Sequence, residues 1–421
     1  MPYFFALCSR MTTSYIPPGR LERLRGSPLH PFVERYVTQA EEQNYKPKTV
    51  NWHVQLFTRC SLWLHRTRRK LRDLNEKVVE RFLVQELPRR ESWAGAMPAF
   101  RRLLAILRVD GVVSPANPIT PTSAERLADE YRCYLSNERG LRNATIYNYA
   151  RHVDQFLNER FGHGKVKFSA IRAQEIIEFV KSQSRQHSRA WMLQVISALR
   201  SFLRFTHYRG YTATDLSPVV PIVANWRKAT LPKHLSAEAV ERVLNACDRT
   251  TAVGRRNHAI LLLLARLGLR AGEVIALQLE DIDWGNAQIT IRSNKGQGWA
   301  RLPLPVDVGE AIARYLKNDR PRCACRNVFV RLVAPYVKLS NSPVIAVITR
   351  KALEKAGVES DRKGSHLFRH SLATEMLRQG ASLDEIGQVL RHRDPDTTAI
   401  YAKVDLNALR RLAIPWPGEE R

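Results

Sequence analysis

The sequence predicts a mainly α-helical chain with one small antiparallel β-sheet in its last part, an α+β arrangement. Three observations predict it. First, apolar residues recur at helical spacing along most of the chain, as in Val195, Leu199, Phe202 and Leu203. Second, a helical stretch near the N-terminus repeats itself. Lys48-Thr49-Val50-Asn51-Trp52 is matched by Ala144-Thr145-Ile146-Tyr147-Asn148, and Ala99-Phe100-Arg101-Arg102-Leu103-Leu104, ending at Gly111, by Ala198-Leu199-Arg200-Ser201-Phe202-Leu203, ending at Gly210. Third, strict alternation appears after Trp284. Gln288-Ile289-Thr290-Ile291-Arg292 is followed by a Ser-Asn-Lys-Gly-Gln-Gly turn and then by Arg301-Leu302-Pro303-Leu304, which reads as a β-hairpin.

The elements follow in order. Residues 1–29 read as a polar tail, with Met11 an alternative start. Two similar small helical domains are expected at 30–115 and 121–213, joined by a linker that Pro115, Pro118 and Pro121 mark. A second linker carries Pro218, Pro221, Asn225-Trp226-Arg227-Lys228 and Pro232. A third domain is expected over 231–412. It opens on a helix capped by Ser236, continues with a buried helix from Asn257 to Leu267 that stops at Gly268, and after the hairpin is helical from Ser342 to about Leu412. Residues 413–421 form a second tail.

Charge narrows the function. Lys and Arg number 67 against 40 Asp and Glu, a net +27 spread along the 421 residues. So large an excess repels itself in the compact state and is relieved by an anionic partner, of which nucleic acid is the commonest. Basic chains that bind membranes usually do so through one amphipathic helix or a polybasic tail. No apolar run approaches the roughly 18 residues of a membrane span. No secretory signal is expected, since the N-terminus lacks the basic start and small-residue cleavage site of one. The six cysteines have no framework spacing, which suits a reducing compartment, and a cytoplasmic protein is expected. With 44% hydrophobic residues, wholesale disorder is excluded.

Five places in the last domain carry chemistry. Arg270-Ala271-Gly272-Glu273 lies where one helix ends and the next begins, so Arg270 sits by free backbone N–H groups that also favour an anion. Lys295 lies in the hairpin turn. His366 and Arg369 are three apart on one helical face. His392 follows a helix, Leu383–Leu390, opened by a capping box of Ser382 and Glu385. Tyr401 is on the next short helix, started by Asp396 or Thr397. Two arginines, a lysine, two histidines and a tyrosine suit phosphoryl transfer without a metal. Guanidinium forks bind the equatorial oxygens of a phosphorane through paired hydrogen bonds. Donors aimed at developing charge contribute roughly 3–4 kcal/mol each. A phenol with a pKa of about 10 needs a positive field and a base to attack, and the field is expected to lower that value.

This ordered set, Arg270-x-x-Glu273, Lys295 in a hairpin, His366-x-x-Arg369, Leu390-Arg391-His392 and Thr397-Thr398-x-x-Tyr401, resembles the tyrosine recombinase (phage integrase) family over about 230–412. The helical region at 121–213 resembles that family's SAM-like, core-binding domain. The resemblance implies that Tyr401 attacks the scissile phosphate, leaving a 3′-phosphotyrosine and a free 5′-hydroxyl. It implies that Arg270 and Arg369 stabilise the transition state, that Lys295 protonates the leaving oxygen, that His366 is base for the tyrosine, and that His392 bonds the phosphate. Glu273 would orient its neighbours. It further implies double-stranded DNA as substrate, a homotetramer on two duplexes, partner recombinases as further candidates, no cofactor or metal, and association with the nucleoid. Each subunit would pass a C-terminal segment to its neighbour on an apolar face of Leu406, Leu409, Leu412, Ile414 and Trp416. Two departures stand out: Arg391 where the family usually carries glycine, and the duplicated helical domain.

Plainer readings exist for each residue alone. Arg270 suits a solvated helix start, Lys295 an ordinary turn, Tyr401 a half-buried helix position, and Glu273 any first helical turn. Cys323-Ala-Cys325 lacks the two-residue gap of a metal knuckle. The run His65-Arg66-Thr67-Arg68-Arg69-Lys70 suits a solvated face as well as a phosphate-contacting one. Trp52, Trp63 and Trp93 suit core. Two rivals cover the whole set: a non-catalytic regulator using Ser382–Val404 as a helix-turn-helix, and a type IB topoisomerase.

Overall fold

The structure, a computed structural model, describes residues 25–87, 93–114, 122–162, 171–222, 233–292, 298–392 and 394–404. Lys295, the linker prolines 115, 118 and 121, and the apolar face expected at 406–416 lie outside the described residues. Contacts divide the chain into two compact units, Ser114–Arg227 and the pair of segments Met1–Val113 and Lys228–Arg421.

In the first segment four helices are described: α1 (His30–Glu42), α2 (Pro47–Arg66), α3 (Glu76–Glu86) and α4 (Trp93–Val109). Asn75 caps α3 by accepting from the Val78 N–H. Apolar residues at helical spacing meet in one core around Phe57, Phe82 and Phe100, whose rings pack edge to face. Trp63 is buried in this core, while Trp52 lies half-buried at its margin. The basic run at 65–70 is largely exposed, with Arg69 held over the Trp63 ring.

In Ser114–Arg227 the described helices are α5 (Ser123–Cys133), α6 (Asn143–Phe161), α7 (Ala173–Gln186) and α8 (Arg189–Tyr208). Thr122 and Glu125 form a reciprocal capping box on α5. The residues that recur between the two sequence stretches lie on α2 and α6, and on α4 and α8, and their apolar members face cores of the same kind.

The last segment opens on α9 (Ala237–Asn245), with the Ser236 hydroxyl accepting from the Ala239 N–H. Helix α10 (Ala252–Arg266) starts five residues before the expected Asn257, because Thr251 caps it through the Gly254 N–H. After α11 (Ala271–Ala276) come β1 (Ile282–Asp283), β2 (Gln288–Arg292) and β3 (Trp299–Pro303), paired antiparallel in that order. The register sets Ile289 opposite both Ile282 and Leu302, which turns one face to the core. Helices α12 (Val306–Asn318), α13 (Ser342–Lys355), α14 (His366–Arg378), α15 (Leu383–Leu390) and α16 (Pro395–Thr398) follow, and a 3₁₀ turn (Ala399–Val404) carries Tyr401. Asp394 caps α16 by accepting from the Asp396 N–H, so the helix begins before the expected Asp396. The main core gathers the apolar run of α10, and a satellite core joins Ala373, Ile386, Leu390 and Tyr401. No described helix is long and apolar enough to cross a membrane, and among the described residues no group of three or more His, Cys, Asp or Glu could hold a metal ion.

Candidate active site

Gly268 lies in the short connection between α10 and α11. Its φ is +56°, and a Cβ there would stand 2.7 Å from Leu390 Cδ2 and 3.1 Å from Leu372 Cδ2. The close approach brings the start of α11 against α14 and the end of α15. Arg369, on the first turn of α14, fills the junction. It is 3% exposed; its Nη1 donates to the Gly268 carbonyl at 2.5 Å and its Nη2 to the Leu390 carbonyl. Burial, then the neighbouring Arg270 and Arg391, bring its pKa down to about 9, so the guanidinium is charged at neutral pH.

Arg270 occupies the N-cap of α11. Its backbone N–H donates to Glu273 Oε2 and its Nη1 to Glu273 Oε1, both at 2.8 Å. Burial raises the affinity of the Glu273 carboxyl for a proton. The Arg270 backbone N–H, the Arg391 charge and the Arg270 guanidinium outweigh that and hold the group below the usual carboxylate range. Arg391 ends α15 in the left-handed region, at φ +55° and ψ +48°. The His392 N–H bonds the Gly387 carbonyl and the Arg391 N–H bonds the Gln388 carbonyl, the paired closure of a Schellman turn. A non-glycine residue there costs about 1 kcal/mol.

The histidines divide by partner. His392 Nδ1 is hydrogen-bonded to Thr398 Oγ1 at 2.7 Å, which ties the end of α15 to α16. Burial, then Arg369 and Arg270, draw His392 down to about 4. His366 exposes much of its surface, yet crowding by protein atoms, followed by Arg369 and Arg270, lowers its pKa as well. The imidazole bonded to the Tyr401 hydroxyl is neither of these. It is His370, one helical turn beyond His366, whose Nδ1 lies 2.9 Å from Oη. The rings of His366 and His370 are 6.5 Å apart.

Tyr401 is 1% exposed and packs in the satellite core. Burial pushes its pKa up to about 12, and the opposing pull of Arg369 is smaller. The expected lowering by the positive field is therefore reversed in this state: loss of water outweighs the cations. His370, drawn down to about 4 by burial, His366 and the arginines, is neutral at neutral pH and a weak base. Sequence reasoning missed His370. Its signal was the i, i+4 spacing from His366, which puts both rings on one face of α14.

Arg270, Glu273, Arg369 and His366 thus converge with His392, and Tyr401 adjoins them through Arg369 and His370. Comparison with known proteins bears on what such a set is for. Residues 233–407 match the phage integrase family, and residues 128–210 match the phage integrase N-terminal SAM-like domain. The integrase/recombinase y4rA of Sinorhizobium fredii (strain NBRC 101917 / NGR234) is 43% identical over 392 residues, covering 92% of this chain and 94% of its own.

The chain belongs to the phage integrase family.

The tyrosine recombinase XerA of Thermococcus onnurineus (strain NA1) is 31% identical to it over 284 residues, covering 67% of this chain and 92% of its own. The fold agrees with solved structures of the family. XerH site-specific recombinase bound to palindromic difH substrate superposes with a TM-score of 0.53 at 17% identity, over 79% of this chain and 92% of that one. A lambda integrase dimer bound to a COC' core site gives 0.52 at 16% identity, over 66% and 94%. This family member is an enzyme, a tyrosine recombinase, which sets aside the reading as a non-catalytic regulator.

Proposed function

We propose that this recombinase cuts and rejoins double-stranded DNA through a covalent 3′-phosphotyrosine on Tyr401. The observation that carries the reading is the junction at Arg369. One buried guanidinium, anchored to the carbonyls of Gly268 and Leu390, sits electrostatically beside Arg270, His366, His392 and Tyr401. Arg270 and Arg369 hold the non-bridging oxygens as negative charge grows on them. His392 bonds the phosphate, and Glu273 fixes Arg270. Tyr401 Oη forms its bond to phosphorus as the bond to the 5′-oxygen breaks. Lys295 gives that oxygen a proton, and the phenol's proton passes to a histidine of α14. The covalent link conserves the phosphodiester energy, and a 5′-hydroxyl of a second strand reverses the step.

Attack requires the phenol to leave its packed position, because Oη is bonded to His370 inside the satellite core. A bound phosphodiester favours the change. Its negative charge raises the histidine pKa values, and release of the ring from the core removes the burial that raises the tyrosine's. The protein works as a homotetramer on two duplexes, with 30–115 and 121–213 as helical DNA-binding domains in addition to the catalytic domain at 231–412. Its natural act is integration, excision or transposition in the cytoplasm, on the nucleoid. Partner recombinases would enter as further subunits of that assembly.

The test begins with footprinting on the DNA that flanks the coding region. A nicked suicide duplex built on the protected site should trap a protein–DNA adduct that survives SDS. Tyr401→Phe should form none, and an adduct that persists in that variant would remove Tyr401 as nucleophile. Relaxation of any supercoiled plasmid without such a site would favour the topoisomerase reading instead.

A further inference from the structure

We propose that Arg391 is a positioning residue for Arg270, acting through the carboxylate that the two share, Glu273. The proposal rests on the recombinase reading above. Glu273 is buried, and both its oxygens are committed. Oε1 accepts from Arg270 Nη1 at 2.8 Å; Oε2 accepts from the Arg270 backbone N–H at 2.8 Å and from Arg391 Nη2 at 3.1 Å. The backbone carbonyl of Arg391 also accepts from Arg270 Nη2 at 3.4 Å, a contact that does not depend on the side chain at 391. Its own tip is pinned by donation from Nη1 to the Val389 carbonyl at 2.9 Å.

The two arginines differ in what they present. The Arg391 side chain is 13% exposed and that of Arg270 is 39% exposed. Arg391 is the buried clamp, and Arg270 the group offered outward. Among the described residues, the bonds to Arg270 leave its Nε–H and one N–H on each Nη free for an anion. Without the second cation, the Glu273 carboxylate would be held by Arg270 alone and could rotate with it.

The backbone argues the same way. Arg391 stands at the left-handed position of a Schellman turn, where glycine is the unstrained choice. The turn itself has no use for an arginine. The side chain instead reaches a carboxylate 118 residues away in sequence. A guanidinium with a buried Nε that finds no partner among the described residues is costly to hold there, unless its Nη contacts do something.

Arg391→Gly separates the turn from the clamp, because glycine keeps the backbone conformation and its carbonyl while removing the side chain that reaches Glu273. In the full chain on the nicked suicide duplex, the variant should bind DNA within about twofold of wild type. Its single-turnover adduct rate should fall about 10- to 100-fold, with an unchanged or higher melting temperature. Arg391→Lys should recover part of the rate. Glu273→Gln should be slow too, and adding Arg391→Gly to it should bring little further loss, since both changes release the same group. Wild-type adduct formation by Arg391→Gly would overturn the proposal, as would a rate loss matched by lost affinity or two losses that multiply. If the wild-type chain itself forms no adduct, the recombinase reading fails and this proposal with it. If it forms one that Arg391→Gly matches, only the positioning role fails.

Discussion

Two buried tyrosines in this chain are paired with histidines in nearly the same way. Tyr36 on α1 bonds His53 Nδ1 at 2.8 Å, and Tyr401 bonds His370 Nδ1 at 2.9 Å. Burial lifts both phenols to about 12 and draws both imidazoles to about 4. A cation adjoins each, Arg102 for Tyr36 and Arg369 for Tyr401. By local chemistry the pairs are twins. What differs is the surrounding set. Tyr36, on a helix, packs against Phe57, and among the described residues no second guanidinium or further imidazole acts on it. Tyr401 lies on a 3₁₀ turn beside an arginine that itself adjoins Arg270, His366 and His392. A tyrosine–histidine bond is therefore no mark of a nucleophile. Convergent anion-binding groups around it are.

The strongest way to break that comparison is to remove each hydroxyl. Tyr401→Phe should abolish the covalent adduct, whereas Tyr36→Phe should leave its rate unchanged, both read on denaturing gels. Next in size is Arg369→Ala. Losing a donor aimed at developing charge should slow adduct formation about 10²- to 10³-fold. It should also lower stability by ~3 kcal/mol, measured by denaturant unfolding, because the buried carbonyls of Gly268 and Leu390 lose their donor. Gly268→Ala meets both a positive φ and the side chains of Leu390 and Leu372, and should cost about 2 kcal/mol and broaden adduct kinetics by loosening the junction. Tyr36→Phe strands the His53 nitrogen in the core and should cost about 1 kcal/mol in the same unfolding assay.

A pH effect is shared by both pairs. His53 and His370 titrate near 4 when folded, below the ordinary value of about 6.5. The unfolded chain binds those protons first, so stability is complete above about pH 6.5 and is lost as the pH falls toward 4. Melting temperatures taken between pH 7 and 5 should decline, and His53→Gln should make the decline shallower without touching the adduct rate.

Much of this was legible in the sequence. The capping box of Ser382 and Glu385, the hairpin and the ordered motifs that carry the family resemblance were visible because each rests on local spacing. Relations between distant turns were not. The start of α10 was placed late because Thr251 caps it from outside the apolar run. Nothing in the spacing singled out His370 over His366, since only the packing of the 3₁₀ turn brings the phenol to one of the two rings. The pKa of Tyr401 was expected in the wrong direction because counting cations ignores burial. Arg391 was visible as a departure, but its reach to Glu273 needed the close approach of α11 and α15 that Gly268 permits.

Burial of Tyr401 has a further consequence for handling the protein. Exposed phenols such as Tyr147 and Tyr208 meet a nitrating or iodinating reagent at once, while the ring at 401 stays sheathed. The residue with the most at stake chemically is thus among the slowest to be marked, and any treatment that speeds its marking reports when the enzyme unsheathes it.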